Sequence, residues 1–228
     1  VKIAIIGSKG FVGKALCRNI KKYNYEVFEI TRENSDKYKS LEYDILINTA
    51  MPSKRFWALN NPVDDVTSTV IKTAELLYEW NYKKFIHISS LSAKIQLDTP
   101  YGAHKRASEV LVENKDNTMI VRLGALYGDG LDKSALFDLV NHNPIYVDID
   151  SEYNYIDIDF VANWILNNID EVGIKEIGAR DSISLLDISK GIWDNPIYEG
   201  RKEIMYSEDV EDGMPSVSEV LKYMERFL

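Results

Sequence analysis

A chain of 228 residues with 27 basic and 36 acidic side chains has a formal net charge of −9, which leaves no basic surplus for nucleic-acid binding. Hydrophobic residues at 45% and charged residues at 28% fit an ordinary soluble folded protein, with no run long or apolar enough for a membrane helix. One cysteine, Cys17, excludes an internal disulfide, and three scattered histidines argue against a histidine-based metal site. No signal-like segment is present, so a cytoplasmic protein without a metal is expected.

The first elements set the frame. Ile3 to Ile6 is a short, β-branched run of the kind that forms a buried parallel strand. It leads into Gly7-Ser8-Lys9-Gly10-Phe11-Val12-Gly13, and the helical pattern Ala15, Leu16, Ile20 follows. Gly7 suits the tight turn, Gly10 lets backbone N–H groups approach a pyrophosphate, and Gly13 permits close packing of helix on sheet. A glycine-rich structural turn with no ligand would show the same spacing, so the motif does not decide alone. The second strand, Tyr25 to Ile30, ends at Thr31 and Arg32. An acid there would suit a ribose 2′-hydroxyl, whereas Thr31-Arg32, with Lys9 nearby, suits a 2′-phosphate. Two solvated surface cations are the alternative.

Asp44 to Ala50 reads as a third strand whose end, Thr49, Ala50 and Met51, lines the same crevice. Pro52 to Asn61 reads as a loop carrying Lys54, Arg55, Phe56 and Trp57, either contacting a ligand or anchored on the surface by its aromatics. Pro62 to Trp80 reads as one long helix, with Val66, Val70, Ala74 and Leu77 at helical spacing. Lys84 to Ile88 is a strand closing on Ser89, Ser90 and Ser92, and Pro100 opens a helix that places Tyr101 and Lys105 on one face. Asn117 to Arg122 is a further strand. This alternation predicts a doubly wound, parallel, Rossmann-like α/β sheet covered on both faces.

From about residue 130 the pattern loosens. Helices are expected over Lys133 to Asn141, from Asp157 through Ile169, from Ser184 to Ile192 and from Pro215 to Phe227, with short strands near 145–147, 153–156 and 175–178. No linker or repeat interrupts the chain. A single domain, 1–228, is expected, whose residues from about 130 form a small C-terminal substrate lobe.

A serine at a strand end, followed by a tyrosine and a lysine on the next helix, has a mechanism. A phenol is a weak acid, with a free pKa of ~10, and a neighbouring ammonium favours its ionised form. It could exchange a proton with a substrate oxygen that Ser90 holds in place. Each residue also has a structural reading, as cap, strand end or surface pair; the order of turn, serines and tyrosine–lysine helix is what singles them out.

With these pieces in place, the chain resembles the extended short-chain dehydrogenases/reductases of the NAD(P)-dependent nucleotide-sugar epimerase/dehydratase type. The resemblance runs through Gly7-x-x-Gly10-x-x-Gly13, Asp44 to Ala50, the helix with Thr69 and Thr73, Phe85 to Ser90, Tyr101-Gly-x-x-Lys105, Arg122 to Gly128 and Tyr155-Ile-Asp157-x-Asp159. It implies Tyr101 as acid–base, Lys105 as its partner and Ser90 as the third catalytic residue, with Ser89 its rival. It implies a cofactor, NADP with NAD as the alternative. The implied contacts are Gly7, Ser8, Lys9, Gly10, Phe11, Val12, Gly13, Thr31, Arg32, Thr49, Ala50, Met51, Ile88, Ser89, Tyr101, Lys105, Ala125 and Leu126. Thr69 stands where the family often has asparagine, and no acidic pair of the kind used for dehydration lies beside Ser90. The family implies a sugar or nucleotide-sugar substrate and a homodimer built on the helices around Thr69 and Lys105. A trimmed, open lobe favours net reduction of a keto-sugar. An NAD(P)-dependent nucleotide-sugar epimerase and a non-catalytic NADP(H) sensor are the alternatives.

Overall fold

Ile3, Ala4, Ile5 and Ile6 are buried together, the pattern of a strand covered on both faces. They belong to β1 (Lys2–Ile6), the opening element of a computed structural model that describes residues 1–227. The backbone divides into two compact units, one made of Val1–Arg122 and Ala162–Lys175, the other of Leu123–Val161 and the residues from Glu176 onward.

In the first unit β1 is followed by α1 (Phe11–Asn19), β2 (Glu26–Ile30), a short α2 (Ser35–Tyr38) and β3 (Glu42–Asn48). The next stretch differs from the sequence expectation. Pro52 to Asn61 is not all loop, because α3 (Arg55–Asn60) forms there and buries Ala58 while leaving Phe56 in solvent. The long helix is also not uniform. It runs as α4 (Pro62–Val66), one π-helical turn over Thr67–Ile71, and α5 (Lys72–Glu79). Thr67 and Thr73 donate their hydroxyls to the carbonyls of Val63 and Thr69, at 2.8 and 2.7 Å. Such back-bonding competes with the regular ladder where the helix widens.

Then come β4 (Asn81–Ser90), a one-turn α6 (Ser92–Ile95), α7 (Pro100–Glu113) and β5 (Thr118–Leu123). Thr99 caps α7 by accepting from Gly102 N at 3.1 Å, and Pro100 needs no partner for a missing N–H at the first helical position. One core of this unit joins Ala4, Ile30, Leu46, Leu76, Phe85 and Ile120, with Tyr43 and Trp80 stacked at 6.2 Å.

The second unit carries β6 (Leu126–Tyr127), α8 (Ala135–Val140), β7 (Glu152–Tyr153) and β8 (Ile156–Asp157). The strand expected at 145–147 is only an isolated bridge between Ile145 and Tyr198. Helix α9 (Ile158–Asn167), which from Ala162 belongs to the first unit, starts where Asp157 Oδ1 accepts from the N–H groups of Asp159 and Phe160, both at 2.9 Å. After it come β9 (Gly173–Ile177), whose residues up to Lys175 also belong to the first unit, and then β10 (Ile183–Ser184), α10 (Leu185–Ser189), β11 (Ile204–Met205) and α11 (Ser218–Met224). Leu136, Leu139, Tyr153, Leu185 and Val220 contribute to a separate core.

The main sheet has the order β2-β1-β3-β4-β5-β9, and the registers β1/β2, β1/β3 and β3/β4 are parallel. This is the doubly wound, Rossmann-like arrangement. Order and direction put the carboxyl ends of β1 and β3 side by side, the position where such sheets bind ligands. No helix among the described residues is long and apolar enough to cross a membrane.

The turn after β1 is sterically fixed. Gly7 has φ +82°, and a Cβ there would meet Ala50 Cα at 2.8 Å. A Cβ on Gly13 would lie 2.2 Å from the Gly7 carbonyl oxygen, which belongs to the backbone and cannot swing aside. Gly13→Ala should therefore cost about 1–3 kcal/mol of stability, as overpacking does; urea denaturation would show it as a lower midpoint with an unchanged slope.

Candidate active site

The turn between β1 and α1 is held from two sides. Gly7 N and Ser8 N donate to the Ile30 carbonyl at 2.9 and 3.2 Å, and Ser8 Oγ donates to the same oxygen at 3.2 Å. Thr49 Oγ1 donates to Ile6 O at 2.7 Å, and Ala50 N to Asn48 Oδ1 at 3.1 Å. Ser8 is thus committed to β2. Gly10, as N-cap of α1, contributes no side-chain cap to the first-turn N–H groups, which include those of Phe11, Val12 and Gly13. A Cβ at position 10 would have only the Gly7 oxygen within 4 Å, at 3.2 Å. Open backbone at a helix N-terminus fits a pyrophosphate.

The end of β2 holds a feature that the sequence reading missed. Glu33 takes a hydrogen bond from the Thr31 side chain, which together with its own backbone N–H and Lys9 holds its carboxyl below the usual range. Lys9 Nζ stands 4.0 Å from Glu33 Oε2, and both are largely in solvent. Arg32 is exposed beside them. A carboxylate is therefore present at this corner, two residues beyond where the sheet pattern looks for one.

Ser90, Tyr101 and Lys105 all lie in the first unit. The Ser90 hydroxyl lies near enough to the Tyr101 phenol to favour its ionised form. It accepts from Ser92 N at 3.2 Å and donates to Ser92 Oγ at 3.3 Å. Ser89, by contrast, donates to Glu109 Oε1 at 2.6 Å in a buried pair. Burial pushes the Tyr101 phenol up to about 12, against the pull of Arg55 and Ser90; the Asp65 charge adds to the rise. Burial likewise brings the Lys105 ammonium down to about 7, opposed by Asp65 and Glu109. Lys105 Nζ sits 5.2 Å from the centre of the Tyr101 ring.

Beneath this pair runs a chain of buried polar contacts. His87 Nδ1 faces Asn48 Nδ2 at 3.4 Å, and His87 Nε2 faces Ser108 Oγ at 3.1 Å. Ser108 donates to the Lys105 carbonyl at 2.7 Å. Because the Asn48 amide nitrogen can only donate, His87 accepts at Nδ1 and carries its proton on Nε2. Met51 approaches the same Ser108 hydroxyl through its sulfur at 3.9 Å. Ile88 lies buried in β4 between His87 and Ser89, and Ala125 and Leu126 belong to the second unit.

Asp65, His104, Arg55 and Glu109 complete the surroundings of the tyrosine–lysine pair. Of these, only Arg55 stood out in the sequence, as a cation in an aromatic-rich segment. Asp65 and Glu109 look like ordinary helix charges until α4 and α7 pack. Among the described residues, no group of three or more His, Cys, Asp or Glu side chains is placed to hold a metal ion.

The fold and this corner define the chain as a dinucleotide-type α/β protein with a buried tyrosine–lysine pair. The family model for the NAD dependent epimerase/dehydratase family matches residues 3–159, and the chain belongs to that family. A comparison with curated protein sequences finds no match. Among solved structures, dTDP-4-dehydrorhamnose reductase from Bacillus anthracis, in complex with NADP, is similar with a TM-score of 0.79 at 18% identity, over 100% of this chain and 98% of that one. UDP-glucose 4-epimerase from Thermotoga maritima, with UDP-glucose, gives 0.76 at 16% identity over 99% of both chains. UDP-glucuronic acid 4-epimerase from Bacillus cereus, a tyrosine-to-phenylalanine mutant with NAD and a fluorinated UDP-sugar, gives 0.76 at 19% identity over 100% of both. At these identities the likeness establishes the fold.

The buried His87 makes an acid-stability prediction. Burial, with the Lys105 charge adding to it, lowers its pKa from 6.5 to about 3. Above 6.5 the ring is neutral in both folded and unfolded chains; below it only the unfolded chain takes up the proton, until about 3 is reached. Stability is therefore lost as pH falls through that window. His87→Gln should flatten this part of the stability curve relative to the native protein, measured by urea unfolding at a series of pH values.

Proposed function

We propose that the protein is an NADP(H)-dependent reductase of a nucleotide-linked keto-sugar, with Ser90, Tyr101 and Lys105 as the catalytic residues. One observation carries this reading: the Tyr101 phenol, with Ser90 near it and the Lys105 ammonium 5.2 Å from its ring centre, is held protonated by burial, with its pKa at about 12. A phenol in that state is prepared to give a proton rather than to take one.

The pyridine nucleotide would rest its phosphates on the N–H groups after Gly10, and when bound it supplies the hydride. Ser90 Oγ–H donates a hydrogen bond to the substrate carbonyl oxygen and fixes its position. Tyr101 passes its phenolic proton to that oxygen as the carbonyl becomes an alcohol. The Lys105 ammonium stabilises the phenolate left behind, and a proton from solvent restores the phenol. Arg55, whose charge favours the phenolate, assists the same step.

Family membership and the nucleotide-sugar enzymes of the same fold support the substrate class. An epimerase is the second reading, favoured by the family and by the epimerases among its structural neighbours. It must also run the reverse half-reaction, which starts from the Tyr101 phenolate, and burial disfavours that charged form. A sensor of NADP(H) without turnover would need the turn after β1 but not the buried serine–tyrosine–lysine arrangement.

The test is stoichiometry. With a 4-keto-sugar nucleotide, the native protein should consume one NADPH per product, and Tyr101→Phe should lower kcat by about 10²–10⁴-fold while keeping NADPH affinity. Product formed without net NADPH loss would establish the epimerase, and no product across a keto-sugar panel would favour the sensor. The cofactor choice has its own test, because Arg32 and Lys9 attract a 2′-phosphate while Glu33 repels it. Arg32→Ala should weaken NADPH binding by about tenfold or more and leave NADH almost unchanged, as read by fluorescence titration. Equal loss for both cofactors would remove Arg32 from 2′-phosphate recognition.

A further inference from the structure

Gln96 is the C-cap of the one-turn α6 and lies buried, 5% exposed, in the short segment that joins Ser90 to the helix of Tyr101. An amide at that depth needs partners for its polar atoms. Its side-chain oxygen, Oε1, takes two donors, Ser92 Oγ at 3.1 Å and Arg55 Nη1 at 3.4 Å. A guanidinium can only donate, so the atom that faces Arg55 is the amide oxygen and not the nitrogen. That choice fixes the direction of the other bond. Ser92, itself 1% exposed, gives its one hydroxyl proton to Gln96 and keeps a lone pair for Ser90.

Ser90 is held by both polar groups of Ser92. The Ser92 N–H donates to Ser90 Oγ at 3.2 Å, and the Ser90 hydroxyl donates to Ser92 Oγ at 3.3 Å. The first bond pins the Ser90 oxygen. The second is long for a pair of hydroxyls, so the proton can turn about that pinned oxygen to another acceptor at little cost. The backbone of Gln96 meets α7 instead. Its carbonyl accepts from Thr99 N at 3.1 Å and Thr99 Oγ1 at 2.8 Å, and Thr99 Oγ1 accepts from Gly102 N at 3.1 Å. The approach is close, since a Cβ on Gly102 would lie 2.1 Å from the Gln96 carbonyl oxygen and 2.6 Å from that of Ser92. One residue thus ties the Ser90 hydroxyl through its side chain and the start of the Tyr101 helix through its backbone.

We infer that Gln96 is a positioning residue for the Ser90 hydroxyl, acting through Ser92, with Arg55 holding the Gln96 amide in the orientation this requires. The inference rests on the proposed reduction, in which Ser90 holds the substrate carbonyl. Without the Gln96 oxygen, the Ser92 hydroxyl loses the acceptor that sets its rotamer, and Ser90 in turn loses a partner of fixed position. Space filling makes the opposite demand on residue 96. A side chain that only packs is replaced well by methionine, which keeps the volume, and badly by glutamate, which adds a buried charge. A positioning oxygen is lost in methionine and kept in glutamate, whose carboxylate can accept from both Ser92 and Arg55.

The experiment compares the native chain, Gln96→Met and Gln96→Glu in crystals and in turnover. In cofactor-free crystals, Gln96→Met should break the contact between the Ser90 and Ser92 hydroxyls and leave Ser90 in a changed or split rotamer, while Gln96→Glu should keep the native arrangement. With NADPH and a 4-keto-sugar nucleotide, Gln96→Met should lower kcat by about ten- to a hundredfold at an unchanged NADPH dissociation constant, and Gln96→Glu should recover most of that loss. Ser90 unmoved in Gln96→Met, or Gln96→Met the more active of the two variants, would overturn the inference. Ser92→Ala removes the link while leaving Gln96 in place, so it should release the Ser90 hydroxyl in the same way. An unmoved Ser90 there would equally overturn it, and this arm decides the matter if neither Gln96 variant folds. The crystals need no substrate, so a chain inactive on every keto-sugar would lose the reductase reading while the Ser90 rotamers still judged this one. An active chain whose Ser90 stays fixed in Gln96→Met would lose only this inference.

Discussion

The buried pairing of Glu109 with Arg122 is the contact on which the site's geometry depends. Glu109 is fully buried on α7, and it is reached by Arg122 from β5 and by Ser89 from β4. Tyr101, Lys105 and Glu109 succeed one another at intervals of four along α7, so they share one face of the helix. Fixing Glu109 against two strands fixes the rotation and height of that face. It also turns the Ser89 hydroxyl toward the helix, while the neighbouring Ser90 hydroxyl lies near Tyr101. Removing one partner of such a pair leaves a buried charge unanswered, which is far more costly than the pair is stabilising.

The second constraint is desolvation. Packing α4, the π turn and β4 around α7 excludes water from both the phenol and the ammonium, and it moves them in opposite directions, one up to about 12 and the other down to about 7. Two groups with divergent acidities, set side by side, are the raw material of acid–base chemistry. The same burial leaves His87 neutral beneath them, joined through Ser108 to the backbone of Lys105. That network braces the lysine's turn of helix without adding charge to the site.

At the other end, the turn after β1 depends on backbone geometry more than on side chains. Gly7 brings the chain hard against Ala50, and the Ile30 carbonyl collects the N–H groups of Gly7 and Ser8. The ends of β1, β2 and β3 are thereby locked together, and α1 begins with its N–H groups free of a side-chain cap. The corner formed with Thr31, Arg32 and Glu33 carries both signs of charge, and Lys9 reaches to 4.0 Å from the Glu33 carboxylate across it.

Much of this was legible in the residues themselves. β-branched runs alternating with helical patterns specify a parallel sheet with covered faces, because such strands have nowhere else to bury both sides. Gly7 and Gly13 announce their turn, Pro100 its helix start, and the interval from Tyr101 to Lys105 a shared face, since each is a local property of the chain. What tertiary structure alone decided is non-local. The short α3, the π turn around Thr69 and the lone bridge at Ile145 arise from packing and from hydroxyl back-bonding that pattern and propensity do not encode. Asp65, Glu109 and Glu33 are ordinary acids in sequence. Their partners His104, Arg122 and Lys9 lie 39, 13 and 24 residues away along the chain. Whether an acid is a solvated surface charge or the buried neighbour of a lysine depends on which helix face the fold turns inward, and desolvation, which sets the acidity of Tyr101 and Lys105, exists only once the chain has closed over them.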